Sequence, residues 1–379
     1  MQRDSGAPFY EFFAGGGLAR LGLEPDFACV FANDIDAAKT RAYARAFGPE
    51  GLRTRDIWKL EAADLPGRAA LAWASFPCQD LSLAGARAGL AGPRSGTFWG
   101  FHRLIEALAR EHRAPPVLVL ENVCGLLSSR GGADFTTLVC ALDRLGYRVG
   151  ALEIDAALFT PHSRARLFVV AIRTHAPRHL MLRAPSAPFH SRAIVNAAAR
   201  LPAPVRAQWI WWRLETPPAR NTRLADLLDD GPHNWRSAEQ TARLVAQMSP
   251  LQRARLDAIR ASGRRQVGAV FRRIRSENGV RVQRAEARFD GLAGCLRTPA
   301  GGSSRQMLLF VEGDTLRSRL ISPREAARLM GAPDHYPLPE VQTAALALFG
   351  DGVCAPVVRW LSQVLLAPLA GGAAAELSA

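Results

Sequence analysis

Lysine is almost missing from this sequence: of 48 basic residues, all but Lys39 and Lys59 are arginine. Paired cysteines are missing as well. Cys29, Cys78, Cys124, Cys140, Cys295 and Cys354 lie far apart, with no C-x-x-C and no His/Cys cluster at zinc-ligand spacing. Neither a disulfide framework nor a metal is expected, and the usage suits a reducing compartment where a thiol stays free. No apolar run approaches the ~18 residues of a membrane span, and Met1-Gln2-Arg3-Asp4 opens no signal-peptide core. A soluble, cytoplasmic protein with no membrane partner is the expectation.

The 379 residues, 48% of them hydrophobic, suffice for a large core and a second, smaller domain. Basic residues exceed the 34 acidic ones, for a formal charge of +14. That excess suits a polyanion, since each neutralised phosphate releases counterions. A GC-rich genome would favour arginine for other reasons, so charge alone does not decide.

A proline followed by one cysteine, in Ser75-Phe76-Pro77-Cys78-Gln79-Asp80-Leu81-Ser82, closes an apolar, strand-like run from Leu71 to Phe76. Proline ends strand pairing and fixes its own φ, which aims the next side chain out of the sheet. An open α/β sheet binds its ligands at the carboxyl ends of its strands. A buried, inert thiol is the competing reading.

Similar strand ends recur along the chain. Phe9 to Phe13 breaks at Ala14-Gly15-Gly16-Gly17 before helical spacing through Leu18, Leu21 and Leu23, an arrangement that cradles a ligand on backbone N–H groups. The turn does not match G-x-G-x-x-G, so a dinucleotide is not the first choice. Phe27 to Ala32 ends at Asn33-Asp34-Ile35-Asp36, where an acid is placed to accept hydrogen bonds from ribose hydroxyls, or, for Asp36, to cap the next helix. Asp56-Ile57 suits an adenine edge and face. Three such loops imply a nucleoside-containing cofactor. Residues 83–94, with glycines at 85, 89 and 92, form a long loop beside Cys78 where a lid is expected. Val117 to Leu120 ends in Glu121-Asn122-Val123, and Pro161-His162-Ser163-Arg164-Ala165-Arg166 sets two arginines at i and i+2, on one face of an extended segment.

After about Pro177 the alternation of strands and helices stops. Residues 178–290 carry Trp209, Trp211, Trp212 and Trp235 with Arg264, Arg265, Arg272, Arg273 and Arg275. Basic residues interleaved with aromatics suggest contact with phosphates and base edges. A solvated charged face is the alternative. Late in the chain, Gly350-Asp351-Gly352-Val353 opens an apolar helix that is expected to fold back onto the first domain.

In this order the motifs resemble those of the cytosine-5 DNA methyltransferases, particularly the bacterial restriction–modification type. Phe13-Ala14-Gly15-Gly16-Gly17 looks like the cofactor loop, Pro77-Cys78-Gln79 the nucleophile loop, and Glu121-Asn122-Val123 the glutamate motif. Arg164-Ala165-Arg166 looks like the paired-arginine motif, and Arg297-Thr298 and Gly350-Asp351-Gly352-Val353 the late motifs. Leu18, His162 and Asp351 depart from the usual glycine, glutamine and asparagine.

The resemblance implies a doubly wound, Rossmann-like α/β fold with a smaller, irregular target-recognition domain, and S-adenosylmethionine as cofactor. It divides the chain into a catalytic domain at 1–177, a recognition region at 178–290 and late motifs at 291–379. It implies Cys78 as the thiolate that adds to cytosine C6, Glu121 on N3 and the 4-amino group, Arg166 on O2, and Arg164 in support or on a phosphate. Phe13, Ala14, Gly15, Gly17, Asp34, Ile35, Asp56, Ile57, Pro77, Asp351 and Val353 would hold the cofactor. Ser82, Arg94 and the arginines from 264 to 275 would meet duplex DNA, from which the target base is flipped. A monomer acting on double-stranded DNA is expected, with a cognate restriction endonuclease encoded separately. The rivals are a tRNA cytosine methyltransferase and a non-catalytic DNA-binding regulator.

Overall fold

The computed structural model describes residues 6–77, 92, 96–229, 231, 234–298 and 305–377, with backbone alone for 373–377. The chain forms two compact units. The first comprises Met1–Asp155, Ala165–Pro218 and Gly352–Ala379; the second comprises Ala156–Arg164 and Ala219–Asp351.

A seven-stranded sheet organises the first unit. Its strands are β1 (Ala7–Phe12), β2 (Phe27–Asp34), β3 (Leu52–Thr54), β4 (Leu71–Ala74), β5 (Val117–Asn122), β6 (Arg148–Asp155) and β7 (Ala165–Ile172), in the order β3-β2-β1-β4-β5-β7-β6. β1 to β5 run parallel, and β7 is antiparallel to both β5 and β6. Every residue of β4 and β5 is buried, as expected where helices cover both faces of a parallel sheet. Those helices include α1 (Leu18–Leu23), α2 (Ala37–Phe47), α3 (Thr97–Arg110) and α4 (Ala133–Arg144). The apolar stripe of α3, with Phe98, Phe101, Leu104, Ile105 and Leu108, is fully buried. Strand order reverses between β1 and β4, which sets the glycine turn after β1 next to Pro77 after β4 at the switch point where such sheets bind ligands.

The boundary expected at 177 falls at 218 instead. Beyond β7 the chain continues through β8 (Met181–Leu182), α5 (Arg192–Ala199), α6 (Ala203–Ala207) and β9 (Trp211–Trp212), and it stays on the sheet because β6 has donors and acceptors to spare. Glu153 N–H donates to Phe189 O at 2.8 Å and Ile210 N–H to Val149 O at 2.9 Å. Trp212 is fully buried, and Trp209 and Trp211 pack on the same core. These three tryptophans are packing residues of the first unit, which corrects their reading as nucleic-acid contacts.

In the second unit, α7 (Ala238–Ala246) and α8 (Pro250–Ala261) precede an antiparallel sheet of β10 (Gln266–Glu277), β11 (Val280–Arg288), β12 (Met307–Glu312) and β13 (Thr315–Leu320), ordered β11-β10-β12-β13. The late-motif residues 291–351 therefore share a unit with the recognition segment, because β12 pairs with β10. α9 (Pro323–Leu329) begins with a capping box of Ser322 and Glu325, and α10 (Gln342–Asp351) follows. β12 covers β10 only as far as Val270, so the rest of β10 and β11 projects as a two-stranded ribbon. Its turn is Asn278-Gly279, both at positive φ (49° and 80°), the conformation that two-residue hairpin loops require.

After Gly352 the chain rejoins the first unit as α11 (Ala355–Leu361) and α12 (Ala367–Leu377), as the late apolar run predicts. Arg359 Nη2 donates to Leu21 O at 3.0 Å and Ser362 Oγ to Asp26 Oδ2 at 2.7 Å. By length and composition, 342–372 could pass for a membrane span, contrary to the expectation that no stretch comes close. Helix breaks at 352–354, and the most apolar part is mostly buried inside the protein.

Candidate active site

The glycine turn is held by an acid rather than merely followed by one. Asp34, at the end of β2, accepts from Gly15 N–H through Oδ2 and from Asp36 N–H through Oδ1, both at 2.8 Å. Ala14 N–H donates to Asn33 O at 2.8 Å. Phe13 and Gly15 have positive φ (57° and 56°), costly for a phenylalanine and a mark of a backbone shaped for use. A Cβ added to Gly15 would meet nothing within 4 Å, so the space above the turn is open. Beside it Ile35 is 68% exposed and Trp58 49% exposed.

Open space above the glycine turn, acids at adjacent strand ends and exposed apolar side chains together fit a nucleoside-bearing cofactor. Asp34 retains lone pairs for ribose hydroxyls. Asp36 caps α2, accepting from Ala38 and Lys39 N–H. Ile57 does not present a face to the cofactor loops: it is 3% exposed and packs against Gly100 of α3. It is Trp58 that reaches the surface there, while Asp56 accepts from Trp58 N–H at 3.1 Å.

Under the turn lies a polar cluster that the sequence reading missed. Glu11, 1% exposed, accepts from Arg20 N–H and Tyr43 Oη–H, each at 3.2 Å. Tyr43 Oη also lies 3.3 Å from Cys29 Sγ. Burial pushes the Glu11 carboxyl up to about 8, opposed by the hydrogen bond and charge of Arg20.

The second half of the site is at the end of β5. Cys78, Ser82, Arg94 and the 83–91 loop lie outside the described residues, but the approach to Cys78 does not. Parallel pairing of β4 with β5 matches Ala74 to Leu120, and Asn122 Nδ2–H donates to Phe76 O at 3.0 Å. Asn122 thus fastens Phe76-Pro77 beside Glu121 while its Oδ1 accepts from Val123 N–H at 2.9 Å. Arg166, on β7, brings Nε to 3.3 Å from Glu121 Oε1, with the two side chains 14% and 7% exposed. β7 reaches Glu121 because its antiparallel register pairs Phe168 with Glu121. Next to this pair, burial and the Glu153 charge push the Cys124 thiol up to about 12, while Arg166 acts in the other direction. Cys124 is therefore protonated and unreactive at neutral pH.

Arg164 is placed differently from Arg166, contrary to the expectation that i and i+2 spacing sends both to one site. It belongs to the second unit, 2% exposed, where Nη1 donates to Leu296 O at 3.0 Å and Nη2 to Gly350 O at 2.8 Å. Nη1 also donates to Cys295 Sγ at 3.4 Å, and the two bonds to backbone carbonyls make Arg164 a tie between the two late motifs. His162 contributes to the same tie: its Nε2 accepts from Leu296 N–H at 3.0 Å. Asp351 accepts from Thr298 Oγ1–H, and Val353 is buried in the first unit.

Of the recognition arginines, Arg272, Arg273 and Arg275 lie on the projecting ribbon, and Arg264 and Arg265 precede it. Arg275 pairs with Glu286 across the ribbon at 2.5 Å, with Arg273 at 3.6 Å from the same carboxylate.

A family model described as C-5 cytosine-specific DNA methylase matches residues 8–366. The Type II methyltransferase M.NlaX of Neisseria lactamica is 28% identical over 364 residues, covering 95% of this chain and 96% of that protein. The Type II methyltransferase M.DsaV of Dactylococcopsis salina is 26% identical over 360 residues, covering 94% and 85%. Among solved structures, the S. pombe Dnmt2 methyltransferase has a similar fold, with a TM-score of 0.60 and 16% identity over 95% of this chain and 98% of that one.

Proposed function

Because this chain belongs to the C-5 cytosine-specific DNA methylase family, it transfers a methyl group from S-adenosylmethionine to C5 of cytosine in DNA, and we propose that it does so in a specific duplex sequence through a covalent Cys78 adduct. The observation that supports this reading most directly is the Glu121–Arg166 pair, held beside the Phe76-Pro77 approach to Cys78 by Asn122.

Cytosine C5 is a weak nucleophile. The Cys78 thiolate adds to C6, forming the S–C6 bond and moving an electron pair onto C5. When bound, S-adenosylmethionine would supply the electrophilic methyl group, its sulfur keeping the pair of the broken S–CH3 bond. The C5 proton is then lost to water, its bonding pair re-forms the C5–C6 double bond, and the Cys78 thiolate leaves with the S–C6 pair. Glu121 faces N3 and the 4-amino group and stabilises the charge that develops there, and Arg166 holds O2. Arg164 keeps the two late motifs together and is a positioning residue. Gly15, Asp34, Ile35 and Asp56 hold the cofactor, with Trp58 in the place first given to Ile57.

The base must leave the helix to be reached, at a cost of a few kcal/mol. The ribbon of β10 and β11 is suited to the DNA side of this task, because a two-stranded ribbon fits the major groove. Its far end carries Arg272, Arg273 and Arg275 with Ile274 and Val280, 58% and 62% exposed. We further propose that the enzyme is the modification half of a restriction–modification system, as the Type II names of its relatives suggest, with the nuclease encoded separately.

The test is transfer of labelled methyl from S-adenosylmethionine to unmethylated duplex DNA, with tRNA and the Cys78→Ser protein in parallel. Cys78-dependent label on DNA cytosine is expected. Label on tRNA alone would overturn the substrate, and undiminished label with Cys78→Ser would overturn the adduct.

A further inference from the structure

At the end of the β10–β13 sheet away from the Asn278-Gly279 turn, the second unit carries a cleft of about 1330 Å³. Its floor is the start of β10 against the facing parts of β12 and β13, where Val267 pairs with Phe310 and Phe310 with Arg317. Residues of the 220–235 segment make its wall. The volume exceeds the roughly 300–1,000 Å³ of a small-molecule pocket.

Charge distinguishes this cleft from the ribbon. Arg220, Arg223, Arg264, Arg265 and Arg317 line it, and none of them forms an ion pair among the described residues. Two of its carboxylates are already neutralised: Asp229 by Arg328 at 2.6 Å and Asp290 by Arg288 at 2.5 Å. Among the described lining residues that leaves Glu312 as the uncompensated acid against these five arginines. On the ribbon, by contrast, Arg273 and Arg275 share Glu286 and Arg284 pairs with Glu277.

One of the cleft arginines is held in a fixed plane. The Arg317 guanidinium carbon lies 3.8 Å from the centre of the Trp235 ring, and that ring is braced edge-on by Phe310 at 5.0 Å. Stacking leaves the N–H edge of Arg317 pre-organised for bidentate contact with an oxyanion. Guanidinium groups without an ion pair among the described residues, one of which, Arg220, also donates to Ala157 O at 3.0 Å, in a space too long for one small ligand suit a chain of phosphates.

We propose that this cleft holds the sugar-phosphate backbone of DNA flanking the target, as a second, sequence-independent contact. The proposal rests on the reading that the ribbon meets the target. The twelve residues of β10 span about 40 Å at a rise of ~3.3 Å per residue, so cleft and ribbon tip are about one turn of duplex apart at ~3.4 Å per base pair.

The experiment compares duplexes of about 12 and about 40 base pairs, each with a central target. Affinity is measured as a function of salt for the wild type, the Arg223→Ala/Arg317→Ala protein and the Arg223→Lys/Arg317→Lys protein. The wild type should bind the longer duplex about tenfold more tightly. The alanine protein should lose most of that advantage, and its slope of log K against log salt on the longer duplex should fall by about 2, near 0.9 per lost contact. The lysine protein should keep the wild-type slope. An unchanged slope and length advantage in the alanine protein would overturn the proposal, and is the outcome if an acidic protein segment occupies the cleft instead. Wild-type protein that methylates neither duplex would overturn the reading of the ribbon and active site on which the proposal rests.

Discussion

Arg166 Nε stands 3.3 Å from Glu121 Oε1, with both side chains nearly out of water. The contact joins the ends of two antiparallel neighbours, β5 and β7, so the sheet fixes the acid and the cation of the site independently of any loop. A carboxyl set in this way would meet the flipped base proposed above without reorganising, which is where electrostatic catalysis gains most.

Glu121→Gln should lower the single-turnover methylation rate by about 10²–10⁴-fold, with DNA affinity within a few-fold of wild type by titration. A rate within threefold of wild type would remove Glu121 from its proposed role.

Asn122→Ala should reduce both stability and turnover. The change leaves Phe76 O without its donor and Val123 N–H without its acceptor, a loss of about 1–3 kcal/mol, read as a lower urea midpoint. Asn122→Asp keeps the acceptor but removes the donor, so it should not restore turnover. Full activity in the aspartate variant would show that the tie to Phe76 does not position the nucleophile loop.

Glu11 predicts a pH dependence of stability. Its folded-state carboxyl lies at about 8 against an ordinary value of 4.5, so between these values the folded state binds more proton than the unfolded state. The stability contributed by its burial is fully present below pH 4.5 and is lost as pH rises towards 8, at up to about 1.4 kcal/mol per pH unit. Urea unfolding of Glu11→Gln between pH 5 and 8 should show a flatter profile than wild type, and parallel profiles would contradict the assignment.

Replacing Arg272, Arg273 and Arg275 together with alanine should lower the salt slope of binding to a short target duplex by about 1–2. The drop is less than three contacts would give, because Glu286 already neutralises part of the charge. An unchanged slope would make the ribbon a solvated face.

Much of the first unit was legible because its strands are apolar runs ended by glycine, proline or acid, and β1, β2, β4 and β5 lie where those runs predict. Residue spacing misled where it ignored which unit a residue joins. Arg164 and Arg166 share a face in an extended segment, yet the boundary between units falls at Arg164/Ala165, and the two side chains take different partners. Ile57 looked like a surface residue because it follows an acid at a strand end, but the short helical turn that Asp56 caps rotates it inward and sends Trp58 out. Trp209, Trp211 and Trp212 looked like a binding surface because arginines surround them, and only the pairing of that segment with β6 shows that they pack on the core. Asn278-Gly279 was a readable hairpin signal that went unused.

The return of α11 onto α1 has a consequence for synthesis. α1 ends at Leu23, and the helix that covers it begins at Ala355, so more than 300 residues separate the two. At ~5–20 residues per second, the ribosome needs on the order of tens of seconds to cross that interval. Throughout it the glycine turn is followed by a helix whose outer face has no cover, and a chain stopped anywhere before α11 never gains one. The helix that follows the glycine turn therefore gains its cover only once α11 has been made.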